Sequence, residues 1–281
     1  MSRRRADLAV VVGVALLVPA CAAGARQPHA PLAADPIGLA SRRPIVGPFR
    51  VAIRGEVRGG RGRAIFTAGV AWTDPDLRID VFHPIGGRTL LTLAVSKGEA
   101  RALWPDRGEC LVAPAQPELF AALLGLTLMP EELPALLAGT VYRDAWVDFD
   151  SVRFAPLGVS EPGTPAPSGR DRLLVAGRDR QTGARFTAEL DAARDGAALR
   201  GERTGIDGGV IQVSYPRWVA TAPAHPERIR LAVPDRKLRL DLKVEEWSAT
   251  AAAANAFQLE LPADCMQRTI DELNPAWDRE P

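Results

Sequence analysis

Hydrophobic and polar side chains alternate one by one along most of the chain beyond residue 48. In residues 50–58, Val51, Ile53 and Val57 are separated by arginine and glutamate, and in residues 238–245 leucine and valine alternate with charged residues. Successive side chains of a strand point to opposite faces, so this period of two predicts strands with one buried and one solvated face. Similar runs predict strands in residues 64–72, 77–81, 91–95, 100–104, 109–113, 147–154, 173–177, 186–190, 198–202, 210–215 and 229–233. The short Gly-, Asp- and Pro-containing turns between many of them predict antiparallel connections.

Two segments in the middle of the chain have helical spacing instead. Residues 118–124 carry apolar side chains four positions apart, after Pro117 and before Gly125. Proline at the start and glycine at the end are typical of a short helix. Residues 130–138 repeat the pattern, and Pro134 predicts that this second helix is short or kinked because proline lacks a backbone donor.

A third helix is predicted near the C-terminus. Asp264 stands three residues before Gln267, an arrangement typical of a helix cap. Met266, Ile270 and Leu273 have the spacing of one helix face.

Composition and charge narrow the class of protein. The chain has 281 residues, of which 47% are hydrophobic, 35 are Lys or Arg and 34 are Asp or Glu. A net charge near zero argues against nucleic acid as a partner, which requires a basic surface. The 25 glycines and 24 prolines argue against a helical bundle. We therefore expect a mainly β protein with antiparallel strands and short helices.

The N-terminus has the features of an export signal. Three arginines precede an apolar run in residues 8–18, which is too short to cross a bilayer comfortably. Residues 18–21 then resemble a bacterial lipobox, in which Cys21 becomes the lipidated first residue of the mature protein. The alternative is an ordinary secretory signal cut near Ala23, with Cys21 discarded. Both interpretations export the chain.

These features predict three regions. Residues 1–20 are a lipoprotein signal peptide, residues 21–47 are a lipid anchor followed by a flexible tether rich in Ala, Pro and Gly, and residues 48–281 are the folded domain. Ala22 is not the aspartate that commonly retains lipoproteins in the inner membrane, so the expected location is the outer membrane, facing the periplasm.

Two cysteines remain in the predicted domain. An oxidising compartment permits a disulfide between Cys110 and Cys265, while the alternative is two buried free thiols. The sequence leaves both open.

No catalytic or metal-binding pattern emerges from the sequence. The three histidines stand at no metal-ligand spacing, and no nucleophile motif or phosphate-binding loop is present. Asp148 and Asp150 would share one face of a strand, where an isolated pair is usually a solvated surface. We expect no enzyme activity, no cofactor and no metal.

The apolar face of a large antiparallel sheet must be covered. The two short helices could close the mouth of a curved sheet. Small and large residues mix on one predicted strand, for example Ala68 beside Phe66 and Trp72, and such mixing is compatible with a cavity or with an ordinary packed core. The pattern alone does not choose between them.

An ordered set of segments resembles the LolB family of outer-membrane lipoprotein receptors and their relatives in the LolA/LolB fold group. The segments are Arg54-Gly55, residues 64–72, 77–79, 83–86, 91–93, 124–128 and 133–137, Gly139, and residues 237–247. The resemblance implies an incomplete antiparallel β-barrel around a hydrophobic cavity, lidded by short helices. It also implies that the cavity receives acyl chains of lipoproteins or lipids from a soluble periplasmic carrier.

The resemblance assigns roles to particular residues. The loop Pro84, Ile85 and Gly86 would contact the membrane through Ile85, which the sequence alone predicts to be an exposed apolar tip or a side chain folded back into the core. The expected cavity lining consists of Phe66, Val70, Trp72, Leu91, Leu93 and Leu240.

A second interpretation stays open because the same fold group includes sensors. The loop 156–170 and the C-terminal tail are not typical of the receptor. The chain could therefore be a periplasmic sensor or envelope-assembly module that binds a protein partner.

Overall fold

The strands of the protein join side by side into one open sheet. A computed structural model describes residues 36–40, 47–59, 62–141, 147–155, 172–180, 182–191, 197–204, 207–219 and 224–273. The strands are β1 Phe49–Gly59, β2 Gly62–Thr73, β3 Asp76–Phe82, β4 Thr89–Ser96, β5 Glu99–Trp104, β6 Glu109–Pro114, β7 Val147–Phe154, β8 Arg172–Asp179, β9 Arg185–Asp191, β10 Ala197–Thr204, β11 Val210–Val219, β12 His225–Val233, β13 Leu238–Ser248 and β14 Met266–Gln267. Their order in the sheet is β14-β6-β5-β4-β3-β2-β1-β13-β12-β11-β10-β9-β8-β7.

The pairing within the sheet is antiparallel except at one edge, where β14 runs parallel to β6. Strand β13 pairs with β1 in the middle of the sheet. The first and the last of the long strands are therefore neighbours. This arrangement is an incomplete antiparallel β-barrel with short helices, and it confirms the predicted fold class.

Two short helices cover the apolar face of the sheet. They are α2, Pro117–Leu124, and α3, Glu132–Leu137, and a further short helix, α1, spans Pro36–Ala40. Helix α2 begins with Pro117 and ends at Gly125, whose φ of 65° is left-handed, as the sequence predicts. Pro134 lies in the first turn of α3, where a missing backbone donor costs little.

The helices and the inner faces of the strands form one apolar cluster. Leu119, Phe120 and Leu123 of α2 and Leu133 and Leu136 of α3 are buried in it. Burying a Leu or Phe side chain contributes about 1.5–3 kcal/mol, which explains how such short helices stay in place. None of the helices in the described ranges is long and apolar enough to span a membrane.

The predicted C-terminal helix is wrong. Residues 266–267 instead form β14, and a 3-10 turn follows at Ile270–Glu272. The N–H of Met266 donates to the carbonyl of Gly108 at 2.7 Å, and the N–H of Arg268 donates to that of Cys110 at 2.8 Å. The open edge of β6 offers these backbone partners, and they outweigh a helical spacing of apolar residues.

A short helix precedes the first strand. Helix α1 lies within the predicted tether, and its Ala40 is fully buried near β7 and β8. Cys21, the signal peptide and the loop 156–170 lie outside the described residues.

Candidate functional site

The turn between β3 and β4 presents Ile85 to the solvent. Its side chain is 80% exposed, the largest fraction among the exposed large hydrophobic residues in the described part of the chain. Gly86 and Gly87 follow with φ of 83° and 65°, a conformation that glycine adopts at little cost. Of the two fates that the sequence allows for Ile85, the structure has the exposed one.

Hydrogen bonds hold this turn in shape. The N–H of His83 donates to the carbonyl of Arg88 at 2.8 Å. Nδ1 of His83 lies 2.8 Å from the Ile85 carbonyl oxygen and 3.2 Å from its backbone nitrogen. Ile85 is therefore presented by an ordered hairpin tip.

The six residues expected to line a cavity belong to the packed interior. Trp72 is 2% exposed and Leu93 is 0% exposed, whereas a hollow wide enough for an acyl chain would leave its walls accessible to water. Phe66 is half-buried and lies over Gly55 on the neighbouring strand, where an added Cβ would lie 2.2 Å from the ring. Val70, Leu91 and Leu240 are also buried in the apolar cluster. In this structure these side chains pack against one another and against their neighbours.

Polar contacts fasten the two helices to the sheet. Arg203 of β10 forms a nearly fully buried ion pair with Glu132 at the start of α3. Burial lowers the pKa of Arg203 to about 10. At the other end of α3, the Tyr215 hydroxyl donates to the carbonyl of Leu136 at 3.0 Å and lies 3.2 Å from the Thr140 carbonyl oxygen. We call these two contacts the α3 clamp.

The segment after α2 is held in the same way. Arg236 donates to the carbonyl of Gly125 at 3.0 Å and to Asp207 at 2.9 Å. The hydroxyl of Thr127 donates to the same carboxylate at 2.8 Å. Burial acts to raise the pKa of Asp207, but the hydrogen bonds from Thr127 and Gly209 and the charge of Arg236 together bring it below its ordinary value.

The opposite face of the sheet carries an open cleft. A polar cleft of about 980 Å³ is lined by residues of β1 and of every strand from β7 to β13. Leu240 is the one residue of the expected cavity lining that reaches its wall. Polar positions of the alternating pattern form much of this cleft. The alternation predicts a solvated surface at these positions and gives no sign of a cleft.

The two cysteines form a disulfide. Cys110 of β6 and Cys265 have Cα atoms 5.8 Å apart, and the bond closes a segment of 155 residues. It fixes the C-terminal segment to the edge of the sheet beside β14.

Asp148 and Asp150 lie on an exposed surface with arginine partners. Asp148 pairs with Arg180 at 2.7 Å and Asp150 with Arg178 at 3.6 Å, and all four side chains are more than half exposed. No group of three His, Cys, Asp or Glu side chains in the described ranges could hold a metal ion.

Comparison with known proteins identifies the fold. No protein-family profile and no curated protein matches the chain. A LolA superfamily protein from Nitrosomonas europaea is similar over 80% of this chain and 96% of its own, with 9% identity and a TM-score of 0.52. A domain described as a putative outer membrane lipoprotein-sorting protein from Vibrio parahaemolyticus is similar over 75% of this chain and 89% of its own, with 9% identity and a TM-score of 0.52.

A third solved structure, a DUF1329 family protein from Desulfovibrio piger ATCC 29098, is similar over 79% of this chain and 93% of its own, with 10% identity and a TM-score of 0.52. Identities this low show a shared fold and nothing finer. The chain thus has the fold of the LolA/LolB-like group, without a particular likeness to the LolB receptors.

Proposed function

We propose that the protein is a lipid-anchored envelope protein that binds acyl chains and accepts or delivers lipoproteins or lipids at the outer membrane. The observation that carries this proposal is the exposed apolar tip formed by Pro84, Ile85 and Gly86, because an isoleucine that is 80% exposed at a rigid turn is suited to contact with a lipid surface. The fold, a curved sheet with short helices over its apolar face, is compatible with the same role.

The energy of such a contact explains why an anchor would be needed. Burying one isoleucine contributes about 1.5–3 kcal/mol, which is too little to hold a protein on a membrane alone. Acyl chains on Cys21 would hold the domain near the bilayer and raise the effective concentration of the Ile85 tip at its surface. The Ile85 tip would then act during lipid transfer, while the acyl chains on Cys21 keep the protein at the membrane.

Acyl binding on the apolar face requires the helices to move. Val70, Trp72, Leu91 and Leu93 are packed in one cluster with residues of α2 and α3. We therefore expect an acyl chain delivered by a soluble carrier to enter when the helices shift away from the sheet. The chain would replace contacts between side chains with contacts of the same apolar kind, and this exchange needs no cofactor. The α3 clamp would oppose the movement and set its cost.

A transfer assay tests the proposal. Protein beginning at residue 22 is loaded with a fluorescent lipopeptide and mixed with lipid vesicles. We expect Ile85→Glu to slow transfer to the vesicles and to leave lipopeptide binding unchanged. The matched control is Val112→Glu, which also puts a charge on an exposed apolar side chain, 42% exposed, but opposite Arg101 on β5 and away from the tip.

The outcomes separate the possibilities. Slow transfer in Ile85→Glu with normal transfer in Val112→Glu supports the proposal. Equal rates in both variants and the parent would refute the role of the tip, and absence of saturable lipopeptide binding would refute acyl binding.

A second candidate is a sensor or assembly module that binds a protein partner. The filled interior favours it, since such a module needs no room for acyl chains. It predicts a partner protein recovered by crosslinking and no lipid in a native mass spectrum of the extracted protein.

A further inference from the structure

The polar cleft is built from two rows of side chains that cross the sheet at right angles to the strands. The strand register places the members of one row beside each other from β1 to β7. In sheet order this row consists of Glu56, Asp241, Arg230, Ser214, Arg200, Glu189, Leu174 and Arg153. Seven steps between neighbouring strands correspond to a path of about 34 Å, so an extended molecule could lie along the cleft.

The charges of the cleft are unevenly distributed. At the β8–β10 end, Glu189 is shared by Arg172 at 2.7 Å and Arg200 at 2.6 Å, and the carboxylate of Glu202 accepts a hydrogen bond from Gln212 at 3.1 Å. Among the residues that line this end, the acidic Glu189 and Glu202 are matched by the basic Arg200 and Arg153. This end carries no excess of either sign.

The opposite end, where β1, β13 and β12 meet, has an excess of cations. Asp241 is shared by Arg228 at 2.6 Å and Arg230 at 3.4 Å. In the second row, Arg58 stands directly opposite Arg239 on the paired strands. Arg58 forms an ion pair with Glu56, a carboxylate that Arg63 shares at 2.7 Å. Within the described residues, Arg239 has no ion-pair partner. We call the group Arg58, Arg230 and Arg239 the arginine end of the cleft.

Two like charges directly opposite each other destabilise a sheet. Glu56 offsets the charge of Arg58, and an anion beside Arg239 would offset the charge that remains. Guanidinium groups also match phosphate and carboxylate groups through paired N–H donors, so the arginine end has both the charge and the shape to hold such a group. The arginines also stabilise the charged form of the protein's own carboxylates. The hydrogen bond from Arg228, for example, lowers the pKa of Asp241.

The middle of the cleft is neutral and polar. Ser214 and Gln212 of β11 line it beside Ala232 of β12, a small residue that leaves space above the strands. Hydroxyl and amide groups of this kind bind the hydroxyl groups of a ligand. The described residues that line the cleft include no aromatic side chain on which a flat apolar ligand could stack.

We propose that the polar cleft binds a hydroxyl-rich molecule bearing a phosphate or carboxylate group, with the anionic group at Arg58, Arg230 and Arg239 and the body along the middle of the cleft. A phosphorylated sugar or the headgroup of an anionic lipid has this chemistry. The site is independent of acyl binding on the apolar face.

Calorimetric titration of the full chain in detergent tests this site. The probes are glucose 6-phosphate and glucuronate, with glucose as the uncharged control. We expect both anionic sugars to bind and glucose to bind at least about tenfold more weakly, as expected for loss of a charge-assisted contact. Arg239→Gln and Arg58→Gln should each weaken the anionic sugars by a similar factor.

Arg107→Gln is the matched control, because Arg107 is an exposed arginine in the turn between β5 and β6, outside the cleft. It should leave the affinity unchanged. Equal loss in Arg107→Gln and Arg239→Gln would overturn the proposal, since it would reduce the effect to net charge. Failure of every anionic probe to bind would also overturn it.

A second set of probes separates the two sources of the ligand. Dihexanoyl phosphatidylglycerol and dihexanoyl phosphatidylcholine, used below their micelle concentrations, have the same short acyl chains and different headgroups. A preference for the phosphatidylglycerol probe that Arg239→Gln abolishes supports a lipid headgroup as the ligand. Binding of the anionic sugars without such a preference supports a free sugar. Absence of both responses would overturn the site.

Discussion

The two faces of the sheet differ in where they leave space. The apolar face is covered by α2 and α3. Its side chains fill the interior, and Leu93, for example, is fully buried. The polar face of β1 and of β7–β13 is open and holds a cleft of about 980 Å³. One alternating sequence thus produces a filled face and an open one. A ligand for the apolar face must displace protein, whereas a ligand for the polar face has only to displace water.

This difference predicts where stability and binding reside. Apolar packing and the α3 clamp should determine the free energy of unfolding, because they exclude water. The arginines of the cleft should contribute little to it, because ion pairs on an exposed surface contribute about 0–1 kcal/mol.

Breaking the α3 clamp should give the largest effect. Glu132→Ala leaves Arg203 buried without its partner, and we expect a loss of about 3–5 kcal/mol in the free energy of unfolding. Urea unfolding followed by far-UV circular dichroism measures it. The double variant Glu132→Met with Arg203→Met should recover most of the loss, because an apolar pair needs no compensating charge. A double variant as unstable as Glu132→Ala would contradict this explanation.

Shortening a side chain on each face compares them directly. Leu93→Ala on the apolar face should cost about 2–5 kcal/mol, because it opens a cavity in a packed core. Leu174→Ala on the cleft wall should cost less than half as much, since Leu174 is only half-buried. Urea midpoints of the two variants measure the difference, and equal midpoints would show that the faces are packed alike.

Protonation of Asp241 on the polar face should lower the free energy of unfolding by less than these substitutions do. The hydrogen bond from Arg228 holds the pKa of Asp241 below its ordinary value of 3.8. A carboxyl whose pKa is lower in the folded state stabilises the protein above the unfolded value, and this contribution is lost as the pH falls through the folded value. Between about pH 5 and pH 2 the parent should therefore lose more stability than Asp241→Asn, as measured by urea midpoints at each pH. Identical pH dependence of the two proteins would contradict the coupling.

The sequence predicts the strands well, because burial on one face imposes a period of two on most of them. Strand β4 departs from it, since Leu91–Val95 are all buried. It fails at residues 264–274, where the open edge of β6 and a disulfide to Cys110 override helical spacing. Such partners are distant in the chain, and a local pattern carries no signal for them.

The site is harder to predict than the fold. Ile85 could be placed at a turn by its neighbours Pro84 and Gly86, but its exposure depends on the packing around the hairpin. Whether Trp72 and Leu93 surround a hollow or fill it depends on how side chains from several strands fit together. The pairing of Glu132 with Arg203, 71 residues apart, and the meeting of Arg58 with Arg239 follow from the register of the sheet, which the sequence does not show.

The most direct test of the central claim, that acyl chains bind on the apolar face, is photocrosslinking with a diazirine-bearing palmitate followed by peptide mass spectrometry. The protein begins at residue 22, and excess unlabelled palmitate serves as competitor. The account predicts competable labelling of peptides from α2, α3 and the strands β2 and β4, whose apolar side chains share one cluster with the helices. Labelling confined to the cleft-facing residues of β10–β13, or labelling that the competitor does not reduce, would contradict it.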